Sequence, residues 1–219
     1  MTAKTHKSTR LTRERVFQQA VELADRGGIH KLSMRALARE LGVEAMSLYH
    51  HIAGKDALLD GMIDAVFAEI ALPAPGDDWR TELQKRARSA RAALVRHPWA
   101  LGLMDSRSAP GPANLRHHDA VLGCLRSSGF SVAAAAHAYS LLDSYIYGFA
   151  LQELSLPFDA SEGAASVAAD VLELIPSGAY PHLEEVAREH VLKPGYSYAD
   201  EFEIGLGLVL DALGRLREA

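Results

Sequence analysis

Residues 33–52 contain two short apolar stripes on either side of a glycine, and this pattern constrains the fold more than any other feature of the chain. Leu37 and Leu41 recur at helical spacing before Gly42, and Leu48 belongs to a second stripe after it. Gly42 can take the positive φ that a tight turn between two helices needs. The stretch therefore predicts two short helices that cross over a shared core, as in a helix-turn-helix.

Helical spacing continues along the rest of the chain, and no convincing run of alternating apolar and polar residues predicts a strand. All nine prolines lie at position 73 or later, so the first 72 residues lack the strongest helix breaker. The sequence predicts an all-α fold, with Thr12 near the start of the first helix and Ser33 capping the second. The expected helices cover 11–26, 34–41, 44–51, 55–71, 78–96, 98–105, 112–127, 131–155, 160–175, 181–191 and 198–217.

The charge is divided unevenly along the chain. The net charge is −5, but residues 1–60 hold ten Lys and Arg against seven Asp and Glu, a net of +3. The remaining residues hold 13 basic and 21 acidic side chains, a net of −8. We therefore expect only the amino-terminal segment to contact a polyanion.

The second helix of the motif has an outward side that suits a DNA groove. Burial of Leu48 and Ile52 leaves an outward set of small, apolar and hydrogen-bonding side chains, which fits contact with base edges and phosphates in a major groove. Cations from three neighbouring segments surround this side, and the alternative is a three-helix core with an ordinary solvated surface. The outward residues are Ala45, Met46, Tyr49 and His50, and the cations are Arg10, Arg13, Arg35, Arg39 and Lys55.

The amino-terminal 70 residues closely resemble the TetR family of transcriptional regulators. The resemblance rests on the run from Leu32 to Val43 and on an aromatic, an apolar residue, Lys and Leu at three-residue steps. These four residues are Tyr49, Ile52, Lys55 and Leu58. Gly129-Phe130-Ser131 before a long predicted helix, and Gly148 inside it, resemble the ligand-binding half of tetracycline repressors.

The resemblance implies an omega-shaped homodimer with a three-helix DNA-binding domain over 1–72 and a helical ligand-binding and dimerisation domain over 73–219. It also implies that the first domain binds an operator and that a small molecule in the second changes the spacing of the two DNA-binding heads. Arg35, Tyr49, His51 and Lys55 match positions that contact phosphates, and Ala45, Met46 and Tyr49 match positions near base edges. Met34 stands where the family often has a polar phosphate contact.

The sequence departs from tetracycline repressors where those proteins hold a magnesium–tetracycline chelate. Met104 and Gln152 occupy the positions of the histidine and glutamate that hold the metal, and neither is a good ligand for Mg²⁺. Arg86 and Val121 replace polar residues that contact the rings of the drug. We therefore expect no binding of magnesium–tetracycline.

Polar residues within the long helix over 131–155 are the best candidates for a ligand pocket. Tyr139, Asp143 and Tyr147 recur at steps of four and share one face, and Arg86 or Arg88 could pair with the acid. The alternative is a buried polar network without a ligand. The candidate pocket residues are Phe67, Arg86, Trp99, Leu103, Met104, His118, Leu122, Tyr139, Asp143 and Tyr147.

The helices over 131–155 and 198–217 are apolar on more than one face, and both contain small residues. Such helices must be covered on more than one side, so they predict a four-helix dimer interface. They could instead be central helices of a monomer. A dimer agrees better with a regulator that binds a two-fold symmetric operator.

The remaining features exclude several classes of protein. The single cysteine, Cys124, excludes an internal disulfide framework, and no sequence motif of a nucleophilic, dinucleotide-binding or metal-dependent enzyme occurs. The start lacks an apolar signal region and no stretch is long enough to span a membrane, so we expect a cytoplasmic protein without a cofactor. The prediction is a repressor released by a small, partly aromatic effector. The alternatives are a DNA-binding co-regulator or activator with no ligand pocket, and a helical enzyme.

Overall fold

The computed structural model describes residues 11–76, 78–104, 110–176 and 178–218, and these residues form helices but no strand. The all-α prediction is therefore confirmed for this part of the chain. A 3-10 turn at Ile29–Lys31 and a π-helical turn at Ala187–Val191 join the α-helices. The α-helices are α1 (Arg13–Gly27), α2 (Met34–Leu41), α3 (Ala45–Tyr49), α4 (Lys55–Glu69), α5 (Trp79–Arg96), α6 (Pro98–Met104), α7 (Pro112–Ser127), α8 (Val132–Leu154), α9 (Ala164–Leu174), α10 (Pro181–Val186) and α11 (Tyr198–Glu218).

Hydroxyl side chains start three of these helices. Thr12, Ser33 and Ser131 each accept a hydrogen bond from the backbone N–H three residues further on, at 3.1–3.2 Å. Each cap satisfies one of the N–H groups that have no partner inside the helix, which stabilises a helix by about 1 kcal/mol. The structure thus confirms the predicted roles of Thr12 and Ser33.

Three predicted helices are shorter in the structure. The segment expected over 44–51 ends at Tyr49, because the N–H groups of the next residues turn back to the carbonyl of Leu48. The segment expected from residue 160 starts only after Gly163, whose φ of 94° is not helical. The segment expected over 181–191 ends as an α-helix at Val186 and widens into the π-helical turn. Arg10 and Asp105 lie outside the described residues.

The first compact unit consists of the described part of Met1–Ala71 together with Ala92–Asp119. Within it α1 packs on α2 and α4, α2 packs on α3, and α4 packs on α6. Val16, Leu37 and Leu48 have no exposed surface. Full burial of such a side chain stabilises a fold by about 1.5–3 kcal/mol, so these contacts fix the three short helices against each other.

The second compact unit consists of Leu72–Arg91 together with Ala120–Ala219, and the packing of α8 on α11 dominates it. Tyr145 stacks on Phe202 with ring centroids 5.6 Å apart. Arg91 lies over the Phe202 ring at 4.8 Å and pairs with Glu153 at 2.6 Å. Gly205 is required at this crossing, because a Cβ there would lie 2.3 Å from the hydroxyl of Tyr145.

Candidate DNA-binding face and ligand core

The turn between α2 and α3 fixes the direction in which α3 presents its side chains. Gly42 has a φ of 67°, and its N–H points back to the carbonyls of Ala38 and Arg39. The N–H of Val43 also bonds to the carbonyl of Ala38, at 3.0 Å. These bonds satisfy the last carbonyls of α2 and turn the chain sharply, so Leu48 of α3 is buried against the core of the first unit.

The opposite side of α3 faces solvent, and we call its four predicted contact residues the α3 face. Met46 is 72% exposed and Tyr49 is 48% exposed, whereas the neighbouring Leu48 is fully buried. His50 is exposed and Ala45 is half-buried. An apolar side chain beside a phenol and an imidazole can contact both thymine methyl groups and polar base edges.

Cations lie on the helices that flank the α3 face. Arg35 and Arg39 are exposed on α2, and Lys55 is exposed as the first residue of α4. Among the residues that the structure describes, these three form no ion pair. Their charges are therefore available to a phosphate backbone. His51, the remaining predicted phosphate contact, is half-buried.

The predicted ligand residues are divided between the two compact units. The first unit holds the apolar wall candidates, of which Phe67 and Trp99 are buried, and His118 there is exposed. The second unit holds the polar candidates on α5 and α8, together with the half-buried Leu122. The first set is Phe67, Trp99, Leu103, Met104 and His118, and the second is Arg86, Leu122, Tyr139, Asp143 and Tyr147.

The second unit contains a buried polar cluster around an ion pair. Arg86 of α5 is fully buried, and its Nη2 lies 2.5 Å from Oδ1 of Asp143 on α8. The guanidinium also lies 5.8 Å from the centre of the Tyr139 ring. The structure thus selects Arg86 from the two partners left open by the sequence, because Arg88 pairs with Glu203 instead.

Both tyrosines of this cluster are held in the neutral form. Burial raises the pKa of the Tyr139 phenol well above its usual value, and the charge of Asp143 raises it further. The pKa of Tyr147 is raised by burial first and by the same carboxylate second. Neutral phenols that keep their protons can donate hydrogen bonds to Asp143 or to a ligand oxygen.

A second polar cluster, which no sequence pattern predicted, lies in the first unit. Nδ1 of His97 lies 2.8 Å from Asp25 of α1, and its Nε2 lies 3.2 Å from Glu69 of α4. Trp99 donates its indole N–H to the same Asp25 at 2.6 Å. The partners are 28 to 74 residues apart, so no local pattern could have brought them together. The cluster ties α1 and α4 to the junction between α5 and α6.

The described residues offer neither a cluster of metal ligands nor a membrane-spanning helix. Within the described ranges, no group of three or more His, Cys, Asp or Glu side chains could hold a metal ion. At the position expected for the tetracycline-bound metal, Met104 offers a thioether, and Gln152 is exposed and accepts a hydrogen bond from Tyr198 at 3.1 Å. These residues do not fit a magnesium site. No helix in the described part of the chain is long and apolar enough to cross a membrane.

Comparison with known proteins gives two family matches. Residues 16–62 match the family described as bacterial regulatory proteins, tetR family. Residues 72–216 match the tetracyclin repressor-like, C-terminal domain. Together the two matches extend over most of the chain, and residues 63–71 lie between them.

Individual relatives agree with these matches. An HTH-type transcriptional regulator of Saccharopolyspora erythraea is 39% identical over 139 residues, which cover 63% of this chain and 59% of that protein. The HTH-type transcriptional repressor DrrR1 of Streptomyces coeruleorubidus is 36% identical over 214 residues, 93% of this chain and 77% of that protein. The crystal structure of ActR from Streptomyces coelicolor in complex with actinorhodin superposes with a TM-score of 0.76 at 29% identity, over 94% of this chain and 97% of that one.

Proposed function

Because the chain belongs to the TetR family of bacterial transcriptional regulators, we propose that it is a ligand-responsive repressor that binds an inverted-repeat operator as a homodimer. Members of this family are regulators rather than enzymes. The observation that carries the proposal is the α3 face, where Met46 and Tyr49 are exposed directly beside the buried Leu48. We assign 1–72 to DNA binding and 73–219 to ligand binding and dimerisation, and the protein acts on DNA in the cytoplasm.

Each part of the DNA-binding surface has a distinct role. Ala45, Met46 and Tyr49 enter the major groove and contact base edges, which gives the protein its sequence preference. Arg35, His51 and Lys55, together with Tyr49 and His50, contact phosphates and fix the register on the duplex. This division is supported by the exposure of Met46 and Tyr49 and by the absence of ion pairs at Arg35 and Lys55 within the described residues.

Dimerisation occurs through the exposed sides of α8 and α11. Leu141 and Leu151 of α8 are 46% and 58% exposed, and Ile204 and Leu208 of α11 are 57% and 66% exposed. Gly148 faces open space on α8, which allows a second backbone to approach closely. Apolar side chains on two packed helices form a continuous surface that a two-fold partner can bury.

The effector is a small, partly aromatic molecule other than magnesium–tetracycline. One support is the cluster of the buried Arg86 and Asp143 with two half-buried tyrosines, Tyr139 and Tyr147, which offers charged and hydrogen-bonding groups. Another is the similarity to ActR, which was crystallised with actinorhodin. Leu122 of the second compact unit is a further proposed contact. Phe67, Trp99, Leu103, Met104 and His118 lie in the first compact unit, and their role in ligand binding stays a prediction from the sequence. The effector acts by binding the DNA-released state more tightly than the DNA-bound state.

A second candidate function is a DNA-binding co-regulator or activator with no ligand pocket. The observation that favours it is the ion pair of Arg86 with Asp143, since a buried cation that already has its counter-ion needs no ligand. Both candidates require the same DNA-binding surface, so DNA binding is the first property to test.

Footprinting of the purified protein on the DNA upstream of its own gene, at two salt concentrations, tests the proposal. We expect protection of an inverted repeat that weakens as salt rises, because phosphate contacts release bound counter-ions. A folded dimer that protects no sequence at either salt concentration would contradict a repressor that binds near its own gene. Addition of candidate effectors to the protected complex then separates the ligand-responsive repressor from the co-regulator.

A further inference from the structure

The first compact unit contains a cleft that the DNA-binding surface and the polar cluster of the second unit do not use. It has a volume of about 740 Å³ and lies between α1, α4 and the start of α7, with His97 at one end. A volume of this size is within the range of pockets that bind small molecules, roughly 300–1,000 Å³. We call it the α1–α4 cleft.

An aromatic ring lies in the cleft and already contacts a cation. The tip of the Phe17 ring is held against α4 at Gly61, where a Cβ would lie 2.1 Å from the ring. The guanidinium of Arg13 lies over the same ring, 5.3 Å from its centre. Arg13 is exposed and long, so it can move aside for a ligand. The ring is therefore placed where it can contact a positively charged group.

Carboxylates outnumber the cations in the lining, with six against two arginines and one histidine. Three of the carboxylates join helices. Asp64 accepts hydrogen bonds from two backbone N–H groups of α7, at 2.7 and 3.0 Å. Asp25 and Glu69 both contact the imidazole of His97. The other three carboxylates lie at the start of α1, in the second half of α1 and in the first half of α4. They are Glu14, Glu22 and Asp60.

Two of these carboxylates accept hydrogen bonds from uncharged donors. Glu22 accepts a hydrogen bond from the amide of Gln19 at 3.0 Å. Hydrogen bonds from its own backbone N–H and from the Thr12 side chain hold the pKa of Glu14 below its usual value, so this group is ionised at neutral pH. The apolar part of the wall comes from Val21, Ala57 and Ala65. Negative charge beside an aromatic ring and small apolar side chains favours a cation with an apolar body.

We propose that the α1–α4 cleft binds an organic cation with an apolar body, at a site separate from the proposed effector pocket. Its walls belong to the first compact unit, and the polar cluster around Arg86 belongs to the second. An occupant contacts both α1 and α4. Helix α1 also packs on α2, the first helix of the helix-turn-helix.

Isothermal titration of the full-length protein with tetraphenylphosphonium tests the proposal, and tetraphenylborate is an anionic control of nearly the same shape. We expect saturable binding of the cation and at least about tenfold weaker binding of the anion, since the lining repels negative charge. Equal binding of the two ions, or no binding of the cation at millimolar concentration, would overturn the proposal.

Three substitutions locate the binding site. Ala65→Phe fills the cleft from α4 and should weaken binding of the cation at least about tenfold. Glu22→Gln removes one charge, and Phe17→Leu removes the ring. Each of these substitutions should weaken binding of the cation about three- to tenfold. Glu173→Gln, an exposed change on α9, is the matched control for charge and should leave binding unchanged.

A variant that unfolds loses binding for that reason alone, so stability is measured beside binding. Phe17 packs against Gly61, so the thermal transition of each variant is measured first, and Ala65→Phe and Glu22→Gln do not remove this contact. If tetraphenylphosphonium binds these two folded variants as tightly as the parent protein, the cation binds elsewhere and the site assignment is wrong. Binding that Ala65→Phe abolishes and Tyr147→Phe leaves intact supports it.

Discussion

At the scale of single residues, the contact between Gly61 and Phe17 shows how one side chain fixes the spacing of α1 and α4. Glycine inside a helix costs up to about 1 kcal/mol relative to alanine, so its presence in α4 needs a reason. The reason is steric, because a Cβ at residue 61 would lie 2.1 Å from the Phe17 ring. The ring can approach α4 only because this position has no side chain.

Gly61→Ala should therefore destabilise the protein, against the usual effect of this substitution in a helix. We expect a loss of about 1–3 kcal/mol in the free energy of unfolding, because Phe17 must move out of its place. Gly123→Ala on α7 is the matched control, since a Cβ there meets open space, and it should be neutral or stabilising. Urea unfolding of both variants measures the difference. Equal effects of the two substitutions would contradict the packing described here.

The raised pKa of Tyr147 gives the protein a specific sensitivity to high pH. The folded state keeps the phenol neutral, while in the unfolded chain it ionises near pH 10. The stabilising contribution is thus complete below pH 10 and is lost as the pH rises above it. Between pH 8.5 and 11, the midpoint temperature of thermal unfolding should fall more steeply for the parent protein than for Tyr147→Phe. Parallel curves would mean that this phenol is not held neutral by burial.

At the scale of helices, the ion pair between Arg86 of α5 and Asp143 of α8 joins two elements inside the second unit. Removal of one charge leaves the other buried without a counter-ion, which costs about 3–5 kcal/mol. We expect Arg86→Met to lower the free energy of unfolding by this amount. The double variant Arg86→Met with Asp143→Leu should lower it much less, because neither charge remains. Urea unfolding of the two single variants and the double variant measures the coupling. Additive losses would show that the pair is not coupled.

Helix α2 was predicted with its observed bounds because every signal is local: Ser33 caps it, Leu37 and Leu41 form its buried stripe, and Gly42 ends it. The α3 face follows from the same stripe, since the buried Leu48 places Met46 on the opposite side. The start of α9 and the end of α10 differ from the prediction. α9 begins only at Ala164, and α10 widens after Val186.

Contacts between distant segments could not be predicted from sequence. The pattern of the long helix over 131–155 called for a partner for Asp143 but left Arg86 and Arg88 open, because the sequence does not show which side of α5 faces that helix. The cluster of His97 with Asp25 and Glu69 had no sequence signal, because its members come from separate helices. The α1–α4 cleft also depends on packing that no periodic pattern encodes.

At the scale of the whole molecule, the exposed apolar sides of α8 and α11 form the surface that we propose for dimerisation. Leu208→Asp places a charge on the most exposed large apolar side chain of α11. It should raise the dimer dissociation constant by at least about 30-fold, because one important interface contact is lost. Leu174→Asp on α9, where the leucine is 83% exposed, is the matched control and should leave the dimer intact. Sedimentation velocity measures both. A dimer that survives Leu208→Asp unchanged would place the interface elsewhere.

The central claim is that the surface formed by α2, α3 and the start of α4 binds DNA. Its most direct test is the salt dependence of binding to the footprinted duplex, measured by fluorescence anisotropy for the parent protein, Arg35→Ala and Lys55→Ala. Each variant should bind more weakly and lose about 0.9 from the slope of log affinity against log salt, the effect of one lost phosphate contact. Lys193→Ala, an exposed lysine after α10, should change neither quantity. An unchanged affinity and slope for both Arg35→Ala and Lys55→Ala would contradict the claim.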